Sequence, residues 1–101
     1  MSNIVRKGDF LVFEEVGGNV TEFFISKCSF DLNECRVGRT GRISVPSCFG
    51  FIIRTGHYYR FYCNYWINRK ATLEERERFI QWMEDKGHKI KLNTMEITLN
   101  R

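Results

Sequence analysis

Acidic residues vanish from the middle third of this chain: between Arg36 and Lys70 there is not one Asp or Glu. Proline is nearly as scarce, with Pro46 alone in 101 residues, and no linker-like or low-complexity tract interrupts the sequence. With 43% hydrophobic residues, that composition excludes a disordered chain and predicts one folded domain over residues 1–101. The longest apolar runs, Phe10 to Phe13 and Phe49 to Ile53, are too short to span a bilayer. The first eight residues also lack the apolar stretch of a secretory signal, so a cytoplasmic protein with no membrane contact is expected.

Close cysteine pairs are missing too. Cys28, Cys35, Cys48 and Cys63 are separated by six, twelve and fourteen residues, with no Cys-x-x-Cys. Zinc ribbons and knuckles bring their ligands in as pairs on tight turns. The four thiols are therefore read as reduced small hydrophobes, mostly buried on strands, with no metal and no cofactor. Neither His57 nor His88 falls in a His-x-Glu or His-Glu-x-x-His pattern, and no Gly-x-Ser-x-Gly or paired-carboxylate signature is present. No enzymatic activity is expected.

What fills the gap left by the acids is basic and aromatic. Arg36, Arg39, Arg42, Arg54, Arg60, Arg69 and Lys70 occupy the acid-free stretch, giving it a charge of +7, while the flanks carry nine basic against twelve acidic residues. Eight of the fifteen aromatic residues fall in the same stretch. Such an asymmetry speaks about partners rather than fold, because it concentrates field on one region.

Local patterning gives the architecture. Residues 9–16 and 20–28 are β-prone and flank Gly17-Gly18-Asn19, which accept the positive φ of a hairpin turn. Both faces of the first segment are apolar, so it should be an interior strand. Arg36-Val-Gly-Arg-Thr-Gly-Arg42 reads as an exposed loop or hairpin tip, and Ile43–Val45 as a short strand ended by Pro46. Residues 48–54 and 58–67 read as two long paired strands joined through Thr55-Gly56-His57. In the second, Tyr59, Phe61, Cys63, Tyr65 and Ile67 should face the core, and Tyr58, Arg60, Tyr62, Asn64 and Trp66 should face outward.

Thr72-Leu-Glu-Glu75 is a capping box, in which the Thr hydroxyl and the Glu carboxylate satisfy each other's backbone amides. A helix over about 72–86 follows, with Leu73, Phe79, Ile80 and Met83 as its apolar stripe, solvated acids and bases elsewhere, and Gly87 as its stop. His88, just beyond, would suit the helix C-terminus as a cation. Residues 88–92 and 95–99 alternate as a last strand or strand pair. The predicted class is α+β: a mostly antiparallel β-sheet with one helix in the C-terminal half.

The outward strand face resembles in chemistry the stacking platforms of single-strand binders, since bases stack on rings while arginine pairs with phosphate. It lacks the spacing of the RNA-recognition signature. The expected function is a small binding module presenting Arg36, Arg39, Arg42, Arg54, Tyr58, Arg60, Tyr62, Trp66, Arg69 and Lys70 to single-stranded or looped nucleic acid. The alternative is an adaptor or inhibitor, of the kind phages and mobile elements encode, that turns the same residues on an acidic protein surface. Nothing in the sequence fixes the oligomeric state.

Overall fold

Gly17 and Gly18 take φ of +104° and +87°, which a side chain would oppose, and the chain reverses on them as predicted. A computed structural model describes residues 3–46, 48–54, 57–59, 65–91 and 96–98. In chain order the elements are β1 (Ile4–Val5), β2 (Phe10–Glu14), β3 (Val20–Ser26), β4 (Phe30–Asp31), β5 (Ile43–Val45), β6 (Cys48–Ile52), β7 (His57–Tyr59), β8 (Tyr65–Ile67), β9 (Arg69–Lys70), α1 (Leu73–Asp85), β10 (Lys89–Lys91) and β11 (Glu96–Thr98). Five strands form an antiparallel sheet in the order β7-β6-β3-β2-β9, and three two-stranded pieces, β1-β4, β5-β8 and β10-β11, complete the β structure among the described residues. The class is the α+β arrangement predicted, with α1 followed by a strand pair.

Alternation along the central strands divides the apolar residues between two layers. On one face Phe10, Val12, Phe23, Ile25 and Phe51 meet Phe79 and Met83 of α1. Phe23 is the centre of this layer: its ring lies 4.4 Å from that of Phe79 and 4.8 Å from that of Phe51, both nearly parallel, while Trp82 meets it edge-on at 5.5 Å. On the other face Leu11, Phe24 and Cys48 pack with Val5, Val45 and Ile67 from the small strand pairs. Burial on both faces explains why β2 is apolar throughout, and it does lie inside the sheet, between β3 and β9.

The strand expected over residues 58–67 is described only at its two ends, β7 and β8. β7 pairs with β6 at one edge of the large sheet, whereas β8 pairs with β5 in the opposite layer. The two ends thus lie in different layers, and Arg60, Phe61, Tyr62, Cys63 and Asn64 lie outside the described residues. Alternation survives within β8, where Ile67 is buried and Trp66 is 39% exposed.

The capping box forms as read: Thr72 Oγ1 accepts from the Glu75 amide, and Glu75 accepts from the Thr72 amide. The stripe of α1 is shifted, however. Leu73 is 69% exposed, and the residue buried beneath the first turn is Glu75, at 7%. Glu75, Phe79 and Met83 are spaced by four, so one carboxylate heads the apolar row. It is tolerated there because Arg69 reaches it, Nη1 to Oε1 at 2.6 Å and Nη2 to Oε2 at 3.0 Å. Glu74 and Arg78, one turn apart on the exposed side of α1, form no ion pair among the described residues. His88 also departs from expectation. It is buried against Phe51 and Trp82, and that burial pushes its pKa down, so it is held neutral rather than serving as a cation at the helix end.

Hydrogen bonding to Arg69 holds the Glu75 carboxyl down at about 2, against the opposing effect of burial, with help from the Thr72 amide. Because the folded value lies below the unfolded one, the stabilisation is complete above about pH 4.5 and is lost as pH falls toward 2. Glu75→Gln is expected to lower stability at neutral pH by roughly 1.5–3 kcal/mol and to flatten the acid limb of the stability profile, read by urea denaturation between pH 2 and 7. An unchanged acid limb would show that the ion pair contributes nothing there.

Candidate nucleic-acid interface

The segment 36–42 is a closed hairpin tip. Val37 bridges Ile43, the Gly38 amide donates to the Arg42 carbonyl at 2.8 Å, and the Ser44 amide donates to the Arg36 carbonyl at 2.8 Å. Gly41, with φ of +80°, makes the turn, its amide bonding the Gly38 carbonyl at 3.1 Å. Three arginines on seven residues are thus gathered on one tight reversal instead of being spread along a strand.

That tip leans on Trp66. A β-carbon placed on Gly38 would lie 2.9 Å from Cζ3 of the indole, so the ring's benzo end rests against the bare glycine. Phe13 forms the opposite wall, and the guanidinium of Arg42 lies over its ring, 4.3 Å from the centroid. Phe13, Arg36, Gly38, Arg39, Thr40, Arg42 and Trp66 together line an open pocket of about 380 Å³. Arg36 and Arg39 are exposed, and among the described residues no side-chain hydrogen bond or ion pair engages either. The lining groups supply positive charge and a ring.

The remaining basic residues have other surroundings. Arg69 donates Nε to Glu14 at 2.9 Å, Nη1 to the Lys70 carbonyl and Glu75, and Nη2 to Glu14 and Glu75. All five donors of the guanidinium are engaged, leaving none for a phosphate. Lys70 bonds the Ile4 carbonyl at 3.1 Å and pairs with Asp9 at 3.4 Å. Arg54 is exposed in the turn leaving β6 and does not line the pocket. Tyr58 stands in β7 opposite Phe51, in a different sheet from Trp66, while Arg60 and Tyr62 fall outside the described residues. Eight of the ten residues singled out from sequence are among the described residues, and of those the pocket brings together four: Arg36, Arg39, Arg42 and Trp66.

Phe13 and Gly38 were not foreseen as parts of this surface. Phe13 looks like any strand residue until the hairpin tip folds over it, and its contact with Arg42 joins positions 29 apart in sequence. Gly38 carries a weak signal, since it lacks the positive φ that would explain a glycine by turn geometry.

Among the described residues the thiols form no comparable cluster. Cys48 is buried on β6 and burial pushes its pKa up to about 12, while Cys35 is raised by burial and by Asp31 and Glu34. Cys28 and Cys35 are half-buried off the strands, and Cys63 lies outside the described residues. Among the described residues no three His, Cys, Asp or Glu side chains converge as metal ligands, and no helix is long and apolar enough to cross a membrane.

No protein-family model matches this chain, no curated protein matches its sequence, and no solved structure matches its fold.

The Trp66 contact can be probed without changing charge. Gly38→Ala keeps an accessible backbone conformation but forces the indole aside, so the intrinsic tryptophan emission should shift, at a cost of roughly 1 kcal/mol in stability. Emission identical to the parent protein would mean that the ring does not rest on the hairpin tip.

Proposed function

We propose that this protein is a non-enzymatic binding module that presents the hairpin tip 36–42 and Trp66 to nucleic acid, single-stranded or looped, in the cytoplasm and without a cofactor. The observation that supports this reading is the convergence of Arg36, Arg39 and Arg42 with Trp66 on one open pocket whose lining includes no Asp or Glu. Cations beside a half-exposed indole match the two chemical features every nucleotide offers, an anionic phosphate and a flat π-face. The acid-rich helix α1 packs on the opposite face of the large sheet, where its carboxylates do not repel the strand.

A second reading, an acidic protein surface as target, is favoured by one observation: Val37, beside Arg36 on the same tip, is 61% exposed. Apolar contact next to arginine is the usual composition of a protein interface centre.

Fluorescence anisotropy of labelled single-stranded and duplex oligonucleotides, titrated across salt, separates the two. Two to three phosphate contacts give a log–log slope between about −1.4 and −2.1, so raising salt from roughly 50 to 200 mM should weaken binding about 7- to 18-fold. Absence of binding at low salt would overturn the nucleic-acid reading and leave the acidic protein surface as the target to pursue.

A further inference from the structure

The cationic groups around Trp66 differ in what they are able to touch. Arg36 and Arg39 extend from an exposed tip with their side chains unengaged among the described residues. Arg42 is turned inward: Nη2 donates to the Glu14 carbonyl at 3.0 Å, the guanidinium covers Phe13, and Nε is buried without a hydrogen-bond partner among the described residues. Two of its three nitrogens therefore face the protein. Its backbone carbonyl also receives the Gly38 amide, and Gly38 is where the indole rests. A continuous line of contacts runs from Glu14 through Arg42 and Gly38 to Trp66.

We infer that the pocket holds one unpaired base against Trp66, with Arg36 and Arg39 on the flanking phosphates and Arg42 as a positioning residue that fixes the hairpin tip without meeting the strand. This rests on the nucleic-acid reading above and sharpens it to a recognition unit. The shape argues for a single base. The indole lines an open pocket of about 380 Å³ between Phe13 and the tip, room for one base on the exposed part of the ring, and a base offers its face to that ring only when no neighbour is stacked on it. Bases within a duplex are covered above and below by their neighbours and cannot do so. The chemistry argues for the division among the arginines: a planar fork that stacks on a ring while bonding a carbonyl is a geometry that lysine, a compact point charge, does not reproduce.

The test compares an oligothymidine with an abasic strand of equal length and charge, by anisotropy across salt, on the parent protein and on Arg36→Ala, Arg39→Ala and Arg42→Lys. The abasic strand should bind roughly 5- to 150-fold more weakly with an unchanged salt slope, the range expected for losing one stacked base. Arg36→Ala and Arg39→Ala should each reduce the slope by about 0.7. Arg42→Lys keeps the charge and hence the slope, yet should lose at least as much affinity as Arg39→Ala. In the free protein it should also speed amide exchange across residues 36–44.

Equal affinity for the two strands would overturn the base site while salt-sensitive binding upheld the broader reading. Parental affinity and parental exchange in Arg42→Lys would overturn the positioning role. Absence of salt-sensitive binding by either strand would overturn both the function and the site. The strand comparison uses the parent protein, so it decides the matter even if a variant folds poorly.

Discussion

The guanidinium of Arg69 is the point on which the rest of the structure depends. It lies in the short edge strand β9, bonds the Glu14 side chain at the end of β2, and bonds Glu75 under the first turn of α1. Glu75 is at the same time the carboxylate of the capping box, so the residue that starts the helix is also the one that docks it. A carboxylate at the head of an apolar row would be expensive to bury alone, and a fully bonded arginine is what makes it tolerable. One cation thus fixes the edge of the sheet, the entry of the helix and the orientation of Glu14.

Glu14 transmits that order to the other layer. Pairing between β2 and β3 shifts register between Phe13 and Glu14, the Glu14 amide is held by Asn68 Oδ1 at 2.8 Å, and its carbonyl receives Arg42. The side chain faces the helix layer and the carbonyl serves the hairpin tip. The arginines of the acid-free stretch accordingly divide into separate roles. Arg69 is neutralised by two carboxylates and builds the fold, Arg42 braces the tip, and Arg36 and Arg39 remain open to a partner.

Much of this was legible in the sequence where information is local. The glycine turn, the capping box, the apolar character of both faces of β2 and the final strand pair all depend on residues within a few positions of one another. The arginine hairpin was legible as an exposed tip for the same reason. What was not legible depended on residues brought from afar. Glu75 was legible as the capping-box carboxylate but not as a buried one, because its partner Arg69 reads as a surface cation until Glu14, 55 positions earlier, is placed beside it. The unbroken alternation of residues 58–67 gave no sign that β7 pairs with β6 while β8 pairs with β5, because layering is not encoded in periodicity. Counting charges treated seven cations as equivalent, and only their hydrogen-bond partners tell them apart.

The central claim is this separation of structural from binding arginines, and it is tested most directly by measuring Arg39→Met and Arg69→Met side by side, each by urea denaturation and by affinity for a single-stranded oligonucleotide at one fixed salt concentration. Arg39→Met is expected to keep the parental urea midpoint and lose affinity, while Arg69→Met lowers the midpoint. A parental midpoint with lost affinity in Arg69→Met, or a lowered midpoint in Arg39→Met, would contradict it.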